Sequence, residues 1–178
     1  IFYLETKNTM YQMKADEQDV LLHTYYGEKT DNSDKSLLYW RSDRGFSGNP
    51  YEMGKRDRTY SLDSLSQEYS CFGTGDYRIT SLRVQNIDGS QTAELRYDGY
   101  CVQEGKYSIT GLPAVYAQNG EAQTLMIRLS DPHSGLKVEL YYGILEELDV
   151  ITRAVKITNP GTGRFVLQKA ASMNLDWE

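Results

Sequence analysis

The sequence contains few of the residues that carry metal or redox chemistry. It has two histidines, His23 and His133, and two cysteines, Cys71 and Cys101, and these four are not in metal-ligand spacing. Two cysteines do not make a disulfide framework, so we expect free thiols rather than a disulfide between them. The sequence therefore predicts neither a bound metal nor a cofactor.

Long apolar runs and runs of basic residues are also missing. No apolar stretch approaches the roughly 20 residues of a membrane span, and the first residues lack the charged and apolar regions of a secretion signal. The formal net charge is −6 at pH 7, with no Lys/Arg stripe that could follow a phosphate backbone. We therefore expect no membrane and no nucleic-acid partner, and we predict a cytoplasmic protein.

Helical periodicity is the third missing feature. No stretch combines apolar residues at helical spacing with helix caps; apolar and polar residues alternate instead, between clusters of turn residues. The chain has 15 tyrosines and 4 phenylalanines, and tyrosine suits strands but can also stack on a sugar. About a dozen short strands are predicted, which indicates an all-β domain of the sandwich or barrel type.

Turn signals locate several of the predicted strands. The dipeptide Asp88-Gly89 predicts a hairpin turn after a strand at 79–87, and Asp98-Gly99 predicts another after a strand at 91–97. Further strands are predicted at 2–6, 9–14, 20–26, 100–104, 106–109, 115–118, 124–130, 136–145, 150–158 and 164–171.

Residues 30–60 lose this periodicity and predict a very long loop. Connections beyond about 12 to 15 residues in a compact domain are usually functional or disordered. The aromatic and charged residues within the loop favour the functional alternative: Trp40, Arg41, Asp43, Phe46 and Tyr51.

Residues 61–78 follow no structural period and crowd carboxylates, an amide, an arginine, aromatics and two glycines together. This segment is either a connection whose acids satisfy buried backbone donors or a ligand-facing site. Paired carboxylates need set separations for acid and base roles, which spacing in the sequence does not supply. The nearby arginines predict either ion pairs that pin the loop or hydrogen bonds to sugar hydroxyls: Arg41, Arg44, Arg56, Arg58 and Arg78.

Short motifs occur in a recognisable order over nearly the whole chain. They are Asp43-Arg44, Asp57-Arg58-Thr59, Ser61-Leu62-Asp63, Gln67-Glu68-Tyr69, Gly73-Thr74-Gly75-Asp76-Tyr77-Arg78, Leu95-Arg96-Tyr97, Gly111-Leu112-Pro113-Ala114 and Val150-Ile151-Thr152-Arg153. In this order they resemble the N-terminal domain of glycoside hydrolase family 36 α-galactosidases.

The resemblance implies a β-supersandwich of the galactose-mutarotase-like kind, packed in front of a (β/α)8 barrel that carries both catalytic aspartates. A barrel of that kind takes about 250 residues, and nothing in this chain resembles one. We therefore expect residues 1–178 to be a single N-terminal domain of a larger retaining α-galactosidase. The chain would then contain either the whole sandwich or only a part of it. The parent would cleave terminal α-galactosyl groups from sugars of the melibiose and raffinose type, while this segment alone would be inactive.

The resemblance also implies partners: the parent's own C-terminal barrel, a galacto-oligosaccharide substrate and further copies of the protein in a tetramer. In that tetramer a loop of this domain reaches the active site of a neighbouring subunit. Motif matching assigns Asp43, Phe46 and Arg58 to the lining of that site, where they would offer an acceptor, a stacking face and a donor fork. A structural role at the base of the loop is predicted for Asp63, Glu68, Asp76 and Arg78.

Three alternatives remain open. A free-standing carbohydrate-binding module would use the tyrosine-rich faces. A purely structural domain would position the barrel and build the oligomer. A parent that acts on N-acetylgalactosamine is the third, because specificity would depend largely on barrel residues outside this chain.

Overall fold

The computed structural model describes residues 1–39, 41, 43, 57–161 and 163–175, and its nine strands confirm the all-β class. The strands are β1 (Phe2–Glu5), β2 (Thr9–Ala15), β3 (Leu21–Glu28), β4 (Leu82–Asn86), β5 (Arg96–Glu104), β6 (Gln123–Ser130), β7 (Lys137–Leu145), β8 (Val150–Thr158) and β9 (Phe165–Ala170). Single turns of 3₁₀ helix occur at Lys35–Leu38 and Glu146–Leu148.

No helix in the described ranges is long and apolar enough to cross a membrane.

The strands form three antiparallel sheets. Their orders are β1-β2-β3, β4-β9 and β5-β6-β7-β8. Each neighbouring pair in the first and third sheets is also consecutive in sequence, and every such pair except β5 and β6 is joined by a short connection. The pairing of β4 with β9 instead joins distant parts of the chain.

One apolar core joins the three sheets. Leu4 and Met13 come from the first sheet, Leu82 comes from the second, and Ile127 and Leu140 come from the third. Each of these side chains is 4% exposed or less, and burial of such a side chain stabilises the fold by about 1.5–3 kcal/mol. The alternation that predicted strands at 124–130 and 136–145 therefore corresponds to residues that point into this core.

The prediction of a hairpin at Asp98-Gly99 is wrong. The dipeptide lies inside β5, where the register shifts from Tyr97 opposite Leu129 to Tyr100 opposite Ile127. Gly99 has φ +114°, a conformation that glycine supplies to a bulge as readily as to a turn. The predicted strand at 91–97 accordingly begins only at Arg96.

Two further predicted strands, at 106–109 and 115–118, are also absent. These residues belong to an irregular connection between β5 and β6. Its first part is held by side chains rather than by a strand partner: the Tyr107 amide donates to Thr124 Oγ1 at 2.9 Å, and the Tyr107 ring packs 5.4 Å from that of Tyr141. Local alternation predicted strands here, but no backbone within the described part of the chain completes a ladder with these residues.

The irregular segment 61–78 links the first two sheets. The His23 amide donates to the Ser66 carbonyl at 2.8 Å, and the Glu68 amide donates to the Leu21 carbonyl at 2.9 Å, so the segment covers the edge of β3. The Phe72 amide then donates to the Leu82 carbonyl at 3.0 Å, which attaches the segment to β4.

Candidate functional site

Two ion pairs join residues 41 and 43 of the long loop to residues 57 and 58, which lie near its far end. Arg58 Nε lies 3.2 Å from Asp43 Oδ2, and Arg41 Nη1 lies 3.7 Å from Asp57 Oδ2. The Asp43 and Arg58 side chains remain 45% and 65% exposed. We call these four residues the loop foot.

A local turn fixes the returning end of the loop foot. Asp57 Oδ1 accepts hydrogen bonds from the Thr59 hydroxyl at 2.6 Å and from the Thr59 amide at 2.9 Å, the pattern of an Asx turn. The hydrogen bond from the Thr59 hydroxyl is the main cause that holds the pKa of Asp57 below its ordinary value, and the hydrogen bond from the Thr59 backbone amide is the second. Asp57 therefore stays ionised and keeps its charge available to Arg41.

A second, smaller apolar core contains Tyr60, which lies two residues after Arg58 of the loop foot. Tyr60 is buried with Val20, Leu62 and Leu65, and its hydroxyl donates to Asp16 Oδ2. Burial is the main cause that raises the pKa of Tyr60, and the hydrogen bond to Asp16 is the second. The Arg41 guanidinium lies 5.9 Å from the centre of the Tyr60 ring, at the outer limit of a cation–π contact.

A cleft of about 280 Å³ lies between the loop foot and the turn that joins β2 to β3. Its lining combines charged and hydrogen-bonding side chains that come from both sides: Lys14, Asp16, His23, Arg41, Asp57 and Tyr60. Donors and acceptors in this number suit a polyhydroxylated ligand. Within the described ranges, no three His, Cys, Asp or Glu side chains are grouped so that they could hold a metal ion.

The three residues predicted to line a sugar site are thus partly located. The structure brings Asp43 and Arg58 into direct contact. Phe46 lies outside the described residues.

Asp63, Asp76 and Arg78 of segment 61–78 contact other residues of the same segment. Arg78 Nε donates to Asp76 Oδ1 and Arg78 Nη2 donates to Asp76 Oδ2, both at 2.9 Å. Arg78 Nη2 also donates to the carbonyls of Leu62 and Leu65 at 2.9 and 2.7 Å, while Asp63 accepts from the Ser61 hydroxyl. These contacts join distant positions of the segment to one another.

Glu68 is fully buried and belongs to a network of side chains between the sheets. Its carboxylate accepts from Tyr11 at 2.6 Å and from Tyr142 at 2.8 Å, and Arg153 Nη1 lies 2.6 Å from Oε1. Burial raises the pKa of each tyrosine far above its ordinary value, and the negative charge of Glu68 is the second largest cause that raises it. Both hydroxyls therefore remain neutral donors to the carboxylate.

The role of Arg153 was not predicted from the sequence, although a signal for it exists. In β8 the core-facing positions are Ile151, Arg153, Val155 and Ile157, as their pairing with the core-facing residues of β7 shows. A lone arginine in an otherwise apolar register indicates a buried charge that needs a carboxylate partner. Nothing in the spacing identified Glu68 as that partner.

The chain matches the family model described as the glycosyl hydrolase family 36 N-terminal domain over residues 19–178. The bifunctional alpha-galactosidase/sucrose kinase AgaSK of Mediterraneibacter gnavus is 52% identical over 177 residues, which are 99% of this chain and 19% of that protein. Alpha-galactosidase AgaA of Geobacillus stearothermophilus is 38% identical over 177 residues, 99% of this chain and 24% of that protein. The chain thus spans only about a fifth to a quarter of the length of these relatives.

Solved structures show the same relationship. The galactosidase domain of AgaSK superposes with a TM-score of 0.93 at 52% identity, and the match covers 98% of this chain and 24% of that one. AgaA from Geobacillus stearothermophilus, in complex with raffinose, superposes with a TM-score of 0.91 at 38% identity and the same coverage. From the matched model, the identities and the shared fold, the chain belongs to the N-terminal domain family of glycosyl hydrolase family 36.

Proposed function

We propose that residues 1–178 form one non-catalytic N-terminal domain of a larger retaining α-galactosidase, and that the loop foot helps to bind its sugar substrate. The substrate would be a terminal α-galactoside of the melibiose or raffinose type. The family membership and the names of the relatives support the first part of this proposal. The two free thiols, Cys71 and Cys101, fit the reducing cytoplasm.

The exposed ion pair between Asp43 and Arg58 carries the second part. A surface ion pair contributes only about 0–1 kcal/mol to stability, so the stability of the fold gives little reason for this pair in a long loop. A guanidinium has five donor hydrogens and a carboxylate has two acceptor oxygens. Side chains that are 65% and 45% exposed present much of this polar surface to a ligand.

The position of the pair fits a site shared between subunits. Arg41 and Asp57 of the loop foot line the cleft with further polar groups, and the family model is that of an N-terminal domain. In the proposed assembly, the loop between residues 43 and 58 extends towards the active site of a neighbouring copy, with Phe46 as the stacking residue. This domain would then contribute both to the oligomer and to the sugar pocket.

The test is steady-state kinetics of the longer polypeptide with raffinose. We expect Asp43→Asn and Arg58→Met each to lower kcat/KM by more than roughly tenfold, mainly through KM, because they remove contacts to the bound sugar. The matched controls are Lys7→Met and Glu147→Gln, which break an exposed ion pair of 3.4 Å elsewhere on the domain. Kinetics like those of the controls would contradict the proposal.

A charge exchange separates sugar binding from simple pinning of the loop. The double variant Asp43→Arg with Arg58→Asp keeps an ion pair but moves each charge to the other position. If the residues contact the sugar, activity stays low in this variant; if they only pin the loop, activity returns. A changed oligomeric mass with unchanged KM would instead identify a purely structural role.

A further inference from the structure

The position of Arg58 depends on how the turn at 57–60 is held on the domain. Asp57 closes this turn by accepting hydrogen bonds from the Thr59 hydroxyl and amide. The Asp57 carbonyl also accepts from the Tyr60 amide at 3.3 Å. These bonds set the shape of the turn, and the ion pair of Arg58 joins it to another residue of the same loop. They do not fix where the guanidinium lies relative to the sheets.

Tyr60 attaches this turn to the body of the domain. Its ring is 4% exposed and packs with Val20 and Leu65 in the second, smaller core. Its hydroxyl donates to Asp16 Oδ2 at 2.5 Å, a bond between residues 44 positions apart in the sequence. Because Tyr60 follows Arg58 by two residues, these two contacts place the turn and Arg58 with it.

Asp16 is itself held in place by the turn that joins β2 to β3. Its Oδ1 accepts from the amides of Gln18 and Val20, both at 2.9 Å, so the orientation of the carboxylate is fixed. This turn is also joined to the third sheet, because the Tyr97 amide donates to the Asp19 carbonyl at 2.7 Å. The acceptor for the tyrosine hydroxyl therefore belongs to a turn that is attached to two sheets.

The hydroxyl of Tyr60 is not needed to fill the core. A phenylalanine ring would bury the same apolar surface, whereas a buried hydroxyl costs free energy unless it has a partner. The raised pKa of Tyr60, caused mainly by burial, keeps the hydroxyl protonated as a donor. Tyr60 and Asp16 line the same cleft as Arg41 and Asp57. The hydroxyl thus has its partner at the place where the loop foot meets the sheets.

We propose that Tyr60 is a positioning residue for sugar binding: its hydrogen bond to Asp16 holds the turn at 57–60 against the turn between β2 and β3, and so fixes the place from which Arg58 contacts the sugar. This inference rests on the proposed function, in which the Arg58 guanidinium donates to sugar hydroxyls. Tyr60 acts through Arg58 and does not itself contact the sugar. Because hydrogen bonds weaken steeply when the donor tilts away from its acceptor, a small movement of the turn is enough to lower the affinity.

Removal of the hydroxyl alone tests this role. In the longer polypeptide, we expect Tyr60→Phe to raise KM for raffinose by roughly threefold or more and to leave kcat nearly unchanged, because it weakens binding of the substrate and of the transition state alike. The matched control is Tyr69→Phe, since Tyr69 is also 4% exposed and its hydroxyl donates elsewhere, to the Ala171 carbonyl at 3.0 Å. A tyrosine that only stabilises the fold would give the KM of this control, and that result would overturn the proposal.

A double variant shows whether Tyr60 acts through Arg58. With Arg58→Met already present, the addition of Tyr60→Phe should change KM by less than roughly twofold, because the guanidinium that the tyrosine positions is gone. Two independent effects would instead multiply, so that KM of the double variant would rise by the product of the two single increases. A product of that kind would contradict the positioning role.

Hydrogen–deuterium exchange provides a readout that needs no activity. The Thr59 and Tyr60 amides are both bonded to Asp57. Peptides that cover 57–60 should therefore exchange at least roughly threefold faster in Tyr60→Phe, because the turn is less firmly held. Tyr69→Phe should leave the exchange of these peptides unchanged. Equal exchange in Tyr60→Phe and in the original protein would also overturn the proposal.

The kinetic outcomes separate this inference from the function on which it rests. If Arg58→Met raises KM and Tyr60→Phe does not, only the positioning role fails. If Arg58→Met itself leaves KM unchanged, sugar binding by the loop foot fails and the positioning role fails with it.

Discussion

Glu68 Oε1 lies 2.6 Å from Arg153 Nη1 between the sheets, with both side chains almost completely excluded from solvent. Glu68 lies in the segment that pairs with the edge of β3, whereas Arg153 lies in β8. Their contact therefore exists only when the first and third sheets pack together. Tyr11 and Tyr142, one from each of these sheets, add hydrogen bonds to the same carboxylate.

Removal of either charge should destabilise the domain strongly. We expect Glu68→Gln and Arg153→Met each to lower the free energy of unfolding by about 3–5 kcal/mol, because each leaves the other charge buried without its partner. The double variant should lose much less free energy of unfolding than the two single variants lose together, since no uncompensated charge remains. Urea unfolding of the four proteins measures these values, and strictly additive losses would contradict a coupled pair.

Gly73 should tolerate alanine less well than a glycine in an open turn. It has φ +91°, and an added Cβ would lie 2.9 Å from the Thr92 Cα and 3.1 Å from the Gln91 carbonyl oxygen, which are backbone atoms that cannot rotate away. We expect Gly73→Ala to cost about 2–4 kcal/mol. Gly89 has a similar φ of +84° but open space around it, so Gly89→Ala should cost only about 1 kcal/mol. If urea unfolding gives the same loss of free energy for Gly73→Ala and Gly89→Ala, close packing at Gly73 has no effect on stability.

The stability of the domain should fall with rising pH because of Cys71. Complete burial raises the pKa of this thiol to about 12. The unfolded thiol ionises near pH 8.5, so between roughly pH 9 and 12 the folded state holds a proton that the unfolded state has lost. The free energy of unfolding therefore decreases by up to about 1.4 kcal/mol per pH unit in this window, and is unaffected by Cys71 below it.

Unfolding in urea at pH 7.5, 9 and 10 checks this dependence. Cys71→Ala should make the decrease between pH 9 and 10 smaller, and the part that remains comes from buried tyrosines such as Tyr69, whose raised pKa lies above the value near 10 of an unfolded tyrosine. Cys101→Ala, which removes the partly exposed cysteine, is the matched control. A slope unchanged by Cys71→Ala would mean that the thiol does not titrate in this way.

Much of the fold was predictable because local patterns encode it. Alternation at 124–130 and 136–145 predicted β6 and β7, whose side chains must divide between a core face and an outer face. The same reasoning failed at 106–109 and 115–118, because a strand also needs a neighbouring backbone, and sequence alternation carries no information about that neighbour. Asp98-Gly99 was misinterpreted for a related reason: positive φ suits a bulge as well as a hairpin.

The candidate site was predictable in residue type but not in geometry. Acids and arginines around the long loop predicted either ion pairs or a sugar site, and Asp43 and Arg58 do form an ion pair. Their role towards a sugar stays a prediction, and Phe46 lies outside the described residues. The pairing itself could not be read from spacing, because the loop brings together residues whose separation in sequence sets no fixed distance.

The sequence by itself determined the all-β class and, through motifs such as Gly73-Thr74-Gly75-Asp76-Tyr77-Arg78, the resemblance to family 36. Only the tertiary structure decided how the charged residues of those motifs are used. Asp76 and Arg78 contact each other within one segment, Glu68 meets Arg153 inside the core, and Asp43 meets Arg58 at the surface. The physical reason is that hydrophobic alternation is a local property, whereas the partner of a charge is fixed by which sheets pack against each other.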